Sequence, residues 1–377
     1  MLYLDHAATT PMRPEARAAM EPWLGDGFGN PSGVHGVSRR AKHALEEARE
    51  RAASLLGAAH PLDIVFTGSG TGSDNLGVAG PALAHGRRRP VVTTAVEHDA
   101  VLETARFLER LGCPLQVVGV DGDGRVDPER MAEAVTPDTA VVSVMAANNE
   151  TGVKQDLPAV AAAVRRAGPA PVHTDAVQSF VSEEVSAAAL GADLITLAAH
   201  KIGGPKGVGI LVAPRLLALE PVLHGGGQEL GRHSGTHNLA GIVGMVAAME
   251  AAAADRDRFR AAVGEARRRF ETRLKAEVPG LAVTGEAAPR LVQHSHLRFP
   301  GTRAEDLLVR LDGVGVAASA GSACASGAAA PSHVLEAMGW GRVEASECLR
   351  FTFGWTSEPG DGDDAAAAVL ECLAGLR

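Results

Sequence analysis

The feature that most constrains the fold is a regular alternation of short apolar runs with helix-length segments between residues 60 and 213. Such an alternation is typical of βα units, which assemble into a mostly parallel sheet. The runs are almost continuously apolar, which predicts that helices cover both faces of the sheet. The predicted strands are 63–67, 91–94, 115–120, 140–145, 171–174 and 194–197, and two of the predicted helices are 100–111 and 157–167.

The second half of the chain has a more mixed pattern. Predicted helices cover 237–277, 304–311 and a last stretch from Pro359, and predicted strands cover 291–299, 314–317 and 348–353. A chain of 377 residues is longer than one typical domain. We therefore expect an α/β fold with a large domain over 14–255 and a smaller α+β domain made of 1–13 and 256–377.

Charge and hydropathy argue against several classes of protein. The formal net charge of −9 leaves no basic excess to neutralise phosphates, so we expect no nucleic-acid partner. No apolar run approaches the roughly 20 residues of a membrane span, and the N-terminus lacks the pattern of a secretory leader. We therefore expect no membrane association and a cytoplasmic location.

The four cysteines lie far apart, without a C-x-x-C pair. This spacing predicts neither a disulfide framework nor a cysteine metal site. Cys113, Cys348 and Cys372 have apolar neighbours, which is typical of inert buried thiols. Cys324 lies instead among the small residues of 319–328, which have no apolar periodicity and predict an exposed loop. Its thiol is therefore the candidate nucleophile.

Polar residues follow five successive predicted strands. They occupy the segments 67–74, 97–99, 148–150, 175–178 and 200–201. In open α/β sheets, ligands bind beyond the carboxyl ends of the strands, where these segments would meet. The sequence therefore predicts one functional site at this edge of the sheet.

The first of these segments, 67–74, is rich in glycine and opens a helix. Free backbone N–H groups at a helix N-terminus bind anions, and glycine lets a phosphate approach closely. The segment lacks the Lys-Ser/Thr ending of a P-loop and the context of a Rossmann fingerprint, which argues against a nucleotide-binding oxidoreductase. A phosphate site and a plain glycine turn both remain open.

Asp175 and Lys201 carry the strongest chemical signal. A carboxylate at the tip of a strand can pair with a protonated pyridine nitrogen, although Asp175 could also cap the following helix. Lys201 follows an apolar strand, and a buried lysine with a lowered pKa forms imines readily. Lys206, in the next glycine-rich turn, is the rival, because spacing alone does not separate the two lysines.

Six motifs then occur in one order along the chain. They are 3–11, 97–98, 148–152, 173–178, 200–201 and 322–324. Together they resemble the cysteine desulfurases of the iron–sulfur-cluster and nitrogen-fixation type, within the class V aminotransferases. The likeness runs from residue 2 to about residue 370. It implies a fold-type I enzyme that uses pyridoxal 5'-phosphate (PLP), and the context of Cys324 resembles the long-loop subgroup.

The resemblance implies a role for each candidate in the chemistry. Lys201 would bind the cofactor covalently, and His98 would stack on its ring and take part in proton transfer. Asp175 would pair with the ring nitrogen, and Gln178 would contact the ring hydroxyl. Cys324 would take the sulfur of L-cysteine as a persulfide.

The resemblance also implies the binding contacts. The phosphate contacts would come from Gly70, Thr71, His200 and, in a homodimer, Thr236 of the partner subunit. Arg350 would bind the substrate carboxylate, with Asn149 close to both cofactor and substrate. An arginine inside the apolar run 348–353 is unlike a surface residue, and a guanidinium fork suits a carboxylate.

Three positions depart from the family pattern: Ala198, His233 and Trp355 replace residues that many relatives have as Ser, Arg and Arg. The first two could weaken cofactor binding modestly.

The implied reaction converts L-cysteine to L-alanine and delivers sulfur to a protein acceptor, for iron–sulfur clusters or thiolation. Selenocysteine lyase, cysteine-sulfinate desulfinase and class V aminotransferase activities are the alternatives.

Overall fold

The structure is a computed structural model that describes residues 1–321 and 332–376. Its strands are β1 (Leu2–Tyr3), β2 (Ile64–Thr67), β3 (Val91–Thr94), β4 (Leu115–Val118), β5 (Val141–Ser143), β6 (Val172–Asp175), β7 (Leu194–Ala198), β8 (Gly209–Val212), β9 (Ala282–Val283), β10 (His294–Arg298), β11 (Val316–Ala317) and β12 (Cys348–Thr352).

The helices lie between and around these strands. They are α1 (Pro14–Leu24), α2 (Gly36–Leu56), α3 (Gly70–Leu83), α4 (Asp99–Arg110), α5 (Pro128–Glu133), α6 (Leu157–Ala167), α7 (Ala187–Leu190), α8 (Leu239–Ala254), α9 (Arg256–Glu277), α10 (Ala304–Gly313), α11 (His333–Ala337), α12 (Arg342–Ala345) and α13 (Asp361–Ala374). In the ranges 1–321 and 332–376, no helix is long and apolar enough to cross a membrane.

The central sheet has the strand order β2-β8-β7-β6-β5-β3-β4. Neighbouring strands from β7 to β4 pair in parallel, whereas β8 runs antiparallel to both β2 and β7. The predicted α/β fold with a mostly parallel sheet is therefore confirmed. All six strands predicted between residues 60 and 213 are present in this sheet, but β8 was missed, because its short apolar run directly follows a glycine-rich turn. An antiparallel partner needs only such a short connection.

Helices cover both faces of this sheet, as the apolar strands predict. Successive strand residues point to opposite faces, so Val91 belongs to the core beside α3 and α4 whereas Val92 belongs to the core beside α2, α6 and α8. Helix α3 lies so close to the sheet that a Cβ at Gly77 would approach the His173 ring to 2.7 Å. Glycine at this position lets the start of α3 reach the strand ends.

The remaining elements form a second, smaller core. Strands β12, β10 and β9 make an antiparallel sheet, and β1 pairs in parallel with β11. Their core combines Leu4 with aromatic residues such as Phe270 and Phe351, whose ring centroids are 4.9 Å apart. Helices α8 and α9 meet at Asp255. This separation of the cores supports the proposed domain limits of 14–255 against 1–13 and 256–377.

Candidate active site

The strand ends of the large sheet meet the N-terminal strip and β12 at a cavity of about 280 Å³. Nine of the predicted site residues line this cavity: Gly70, Thr71, His98, Asn149, Asp175, Gln178, His200, Lys201 and Arg350. Thr236 is exposed and is not among the lining residues. Cys324 lies outside the described residues. The structure therefore brings most of the predicted residues together around one space.

The glycine-rich segment forms the N-terminus of α3. The Ser69 hydroxyl accepts a hydrogen bond from the Gly72 N–H at 3.0 Å and caps the helix. A Cβ at Gly70 would approach the Cβ of Ala198 to 3.0 Å and the Val177 side chain to 3.3 Å, so glycine keeps this corner open. The N–H groups of a first helical turn lack carbonyl partners within the helix and suit an anion.

His98 caps the N-terminus of α4 and lies at the mouth of the cavity. Its Nδ1 accepts a hydrogen bond from the Ala100 N–H at 3.0 Å. In the neutral ring the proton must then sit on Nε2, which fixes the tautomer. His98 is thus a hydrogen-bond donor through Nε2 whenever its ring is neutral.

Asp175 ends β6 and is buried. Its Oδ1 accepts a hydrogen bond from the Val177 N–H at 2.8 Å. Burial raises the pKa of Asp175, and the neighbouring His98, the Val177 N–H and Lys201 each offset part of that shift. These neighbours favour the carboxylate form, which is the form that can pair with a cationic ring nitrogen.

Lys201 follows β7 and faces the N-terminal strip. Its Nζ donates hydrogen bonds to the carbonyl oxygens of Ala7 and, at 2.8 Å, of Ala8. Burial and the positive charge of Arg350 lower the pKa of Lys201 to about 8. About a tenth of an amine with this pKa is uncharged at pH 7, far more than of an ordinary lysine, and the uncharged form is the one that imine formation requires. Lys206 is exposed and does not line the cavity, which supports Lys201 over its rival.

Arg350 comes from β12 of the smaller core and lines the same cavity. It is only 5% exposed. One terminal nitrogen, Nη1, donates to the Asn149 carbonyl at 2.9 Å, and Nη2 donates to the Asp5 carboxylate at 2.8 Å. A guanidinium has five donor hydrogens, so the remaining donors can serve a substrate carboxylate. The predicted burial of Arg350 is confirmed.

His200 and Gln178 tie the large domain to the N-terminal strip. Nδ1 of His200 lies 3.2 Å from the Thr9 hydroxyl, and the Gln178 amide donates to the Ala7 carbonyl at 3.1 Å. Burial lowers the pKa of His200 to about 4, so its ring is neutral at physiological pH. A neutral ring can contact a phosphate only as a hydrogen-bond donor.

Other residues of the site were missed, or were noticed without a role. The carbonyls of Ala7 and Ala8 hold Lys201, and backbone groups carry no signal in the sequence. Asp5 pairs with Arg350 although 345 positions separate them in the chain. Asp74 lines the cavity and is 2% exposed. The only indication in the sequence that Asp74 belongs to the site was its position, four residues after the start of the helix predicted to bind phosphate.

The three departures from the family pattern have different surroundings. Ala198 lines the cavity and packs on Gly70, where a serine hydroxyl would have added a hydrogen-bonding group. The Trp355 indole donates to the Pro11 carbonyl at 2.9 Å, and the Arg13 guanidinium lies 5.1 Å from its ring centroid. Trp355 thus anchors the N-terminal strip. At the third position, burial lowers the pKa of His233.

The other cysteines cannot substitute for Cys324 as exposed thiols. Cys113, Cys348 and Cys372 are all buried, as predicted. Burial raises the pKa of Cys348 to about 12. A thiol with so high a pKa has almost no nucleophilic thiolate at neutral pH.

The donor set of the cavity fits PLP. The N-terminus of α3 suits a phosphate, the Asp175 carboxylate suits a cationic ring nitrogen, and the Lys201 amine suits an aldehyde. The space that glycine leaves open at position 70 lies at the phosphate end. The fold and the cavity together define the class of PLP enzymes built on a mostly parallel sheet.

Comparison with known proteins identifies the family. The model of the family "Aminotransferase class-V" matches residues 2–361. The cysteine desulfurase IscS of Dictyoglomus turgidum is 39% identical over 354 residues, covering 94% of this chain and 89% of the relative. The cysteine desulfurase NifS of Azotobacter vinelandii is 38% identical, covering 100% of this chain and 93% of the relative.

A solved structure of a NifS-like protein superposes with a TM-score of 0.91 at 33% identity, covering 99% of each chain. The chain belongs to the aminotransferase class-V family, and within it to the cysteine desulfurases of the IscS and NifS type. The enzymes of this family depend on PLP. The resemblance and the cofactor inferred from the sequence are therefore confirmed.

Proposed function

We propose that this protein is a PLP-dependent cysteine desulfurase that converts L-cysteine to L-alanine and delivers the sulfur to an acceptor. The main support for the proposal is that a single cavity joins Lys201, Asp175 and Arg350 in a chain that matches cysteine desulfurases over its full length. The acceptor would be a protein of iron–sulfur cluster assembly or of a thiolation pathway.

Substrate binding depends on Arg350. Its free donor hydrogens would bind the carboxylate of L-cysteine, while the Asn149 carbonyl and the Asp5 carboxylate hold the guanidinium in place. A bidentate pair fixes both the position and the orientation of an amino acid. The α-carbon of the substrate is thereby directed toward the Lys201 side of the cavity.

Proton transfer depends on Lys201 and His98. PLP, when bound, supplies an aldehyde that reacts with amines and a ring that withdraws electrons from the substrate's α-carbon. The uncharged amine of Lys201 would accept the α-proton, because burial and the charge of Arg350 keep its pKa near 8. His98 would take part in this proton transfer as a hydrogen-bond donor, through the proton on its Nε2.

Sulfur transfer depends on Cys324. Its thiolate would attack the sulfur of the bound cysteine, forming an S–S bond as the C–S bond of the substrate breaks. The electron pair of that bond stays with the carbon skeleton, which takes up a proton and leaves as L-alanine. Because the enzyme needs this thiol reduced, a cytoplasmic location suits the reaction.

A homodimer would complete the phosphate site through Thr236. The loop before Thr236 is held by Glu229, whose carboxylate binds Arg49 at 2.7 and 2.8 Å and accepts the Phe66 N–H at 3.0 Å. Leu230, in this loop, has a positive φ of 59° and is 65% exposed. An exposed leucine with a strained backbone, in a loop that is otherwise firmly held, supports the burial of this loop against a second copy of the chain.

The first experiment is an absorption spectrum of the purified protein, with and without L-cysteine, alongside alanine and sulfide assays. The proposal expects a bound-cofactor band that changes with L-cysteine, and equal amounts of alanine and sulfide in the presence of a reductant. Production of an α-keto acid and pyridoxamine phosphate would instead indicate an aminotransferase. Preference for selenocysteine or cysteine sulfinate would favour the other two alternatives.

The dimer has a separate test. Mixing a Thr236→Ala variant with a Lys201→Ala variant should restore activity, since one hybrid site receives both intact residues. Absence of recovery in a dimer shown by sedimentation to have exchanged subunits would contradict a contribution from the partner.

A further inference from the structure

Two buried carboxyl groups stand close to Asp175 and take no part in the chemistry proposed above. Asp74 on α3 is 2% exposed, and Glu97 after β3 is 0% exposed. A carboxylate oxygen of Asp74, one of Asp175 and a ring nitrogen of His98 all lie within 4.8 Å of one another. Glu97 does not line the cavity, but it accepts the N–H of Met145, a residue that does.

The hydrogen bonds of these carboxyl groups are incomplete. Glu97 Oε1 accepts from the Thr94 hydroxyl at 2.6 Å and from the Met145 N–H at 2.9 Å. Among the described residues, Glu97 Oε2 and Asp74 Oδ1 are buried without a hydrogen-bond partner. A buried carboxylate is costly unless donors or a cation surround it, whereas a neutral acid is far less so.

Apart from the His98 ring, which it shares with Asp175, the one basic side chain that pairs with Asp74 among the described residues is His173. Oδ1 of Asp74 lies 3.7 Å from Nε2 of His173. The His173 ring is hydrogen-bonded to the Ser143 hydroxyl at 2.8 Å and to the Thr196 hydroxyl at 3.0 Å. Burial lowers the pKa of His173 to about 3, so this ring is neutral. Asp175 differs, because both His98 and Lys201 favour its charged form.

Two carboxyl groups this close in a buried site cannot both be ionised, because like charges in a poorly solvated space repel strongly. We propose that Asp74 and Glu97 are held as neutral acids, so that the three carboxyl groups carry one negative charge and that charge is on Asp175. Both are then positioning residues, since they act by directing the charge to Asp175. The inference rests on the proposed function only through the identity of the cofactor.

The direction of the pKa values agrees with this assignment. Burial, reinforced by the charge of Asp175, raises the pKa of Asp74 well above its usual range. Burial raises the pKa of Glu97 to about 8. A single charge at the tip of β6 gives a cationic ring nitrogen one well-defined partner, where several charges would compete.

The experiment is isotope-edited infrared spectroscopy of the holoenzyme near neutral pH, with carbon-13-labelled aspartate or glutamate. A protonated carboxyl band that shifts with labelled aspartate should be present in the wild type and lost in Asp74→Asn. A band that shifts with labelled glutamate should be lost in Glu97→Gln alone. Absence of the aspartate band in the wild type, or its persistence in Asp74→Asn, would overturn the proposal.

Cofactor affinity gives an independent measurement on the same near-isosteric variants. Because an amide resembles a neutral acid, Asp74→Asn and Glu97→Gln should change the dissociation constant of PLP by no more than about threefold. Asp175→Asn should weaken binding about ten- to a hundredfold, the range of a hydrogen bond to a charged group. A loss in Asp74→Asn equal to that in Asp175→Asn would contradict the assignment.

These readouts do not use L-cysteine. If the infrared bands were assigned as expected but the protein failed to make alanine, the proposed function would be wrong. The assignment of neutral Asp74 and Glu97 would still be correct. The reverse result would leave the desulfurase reaction intact and remove only the positioning role of Asp74 and Glu97.

Discussion

The two walls of the active-site cavity differ in how the chain builds them. The cofactor wall consists of Gly70, Thr71, His98, Asp175 and Lys201, all at or just beyond the carboxyl ends of strands of the large sheet. Neighbouring βα units bring these residues together, so their meeting follows from the sheet itself.

The substrate wall consists of Ala7, Ala8 and Arg350, which come from the N-terminal strip and from β12. It is assembled by contacts between distant parts of the chain, such as the pair of Arg350 with Asp5, 345 positions away. One wall should therefore govern cofactor retention and the other substrate affinity. Variants on the two walls should fail in different ways.

Removing the lysine of the cofactor wall should have the largest effect. A Lys201→Ala variant should lose the borohydride-reducible attachment of the cofactor and at least about a thousandfold in kcat, because it removes both the covalent anchor and the proton acceptor. Alanine formation and mass spectrometry of the reduced protein are the measurements.

The matched control is Lys206→Ala, which alters an exposed lysine five positions further along the chain. It should retain the attachment and nearly full activity. A covalent attachment that survived in Lys201→Ala and disappeared in Lys206→Ala would reverse the assignment of the two lysines.

Changing the arginine of the substrate wall should have a smaller and different effect. An Arg350→Lys variant keeps the charge but loses the planar fork, so KM for L-cysteine should rise about ten- to a hundredfold. The cofactor spectrum without substrate should stay unchanged. A loss of bound cofactor in this variant would show that the two walls are not functionally separate.

A still smaller effect is expected for the residue that holds the arginine. An Asp5→Asn variant should raise KM by about three- to tenfold, because a neutral amide positions the guanidinium less firmly than a carboxylate. Steady-state kinetics with L-cysteine measure the change. An unchanged KM would mean that the Asn149 carbonyl alone suffices to orient Arg350.

The last prediction joins the two walls through the charge of Arg350. In protein stripped of cofactor, the Lys201 amine should react with aldehydes with a pH midpoint near 8, since burial and Arg350 lower its pKa from 10.5. The neutral amine is the reactive form, so the rate should rise as pH increases through this midpoint. In Arg350→Gln the midpoint should move upward, yet remain below 10.5 because burial persists.

The cofactor wall could be predicted from residues alone to a large extent. Polar groups after apolar strands identified the site, and the structure places Asp175 and Lys201 at the same cavity. The substrate wall could not be derived in this way, because the contact of Arg350 with Asp5 depends on how the two cores fold around each other. Family resemblance supplied Arg350, and nothing supplied the carbonyls of Ala7 and Ala8.

Buried charge was the hardest property to foresee. In the sequence, Asp74 ends a glycine-rich segment and Glu97 precedes a histidine, and neither pattern predicts a buried carboxyl group. Only the structure shows that α3 carries Asp74 against the sheet next to Asp175. Whether a carboxyl group is charged depends on its three-dimensional neighbours, which spacing along the chain does not contain.

The central claim is that Cys324 receives the sulfur of L-cysteine, and one measurement tests it most directly. Purified protein would react with L-cysteine without a reductant, and peptides bearing each cysteine would be analysed by mass spectrometry alongside an alanine assay. We expect one added sulfur atom on Cys324, none on the buried Cys113, Cys348 and Cys372, and one alanine per persulfide. Added sulfur on another cysteine, or undiminished alanine formation by a Cys324→Ala variant that binds cofactor, would contradict the claim.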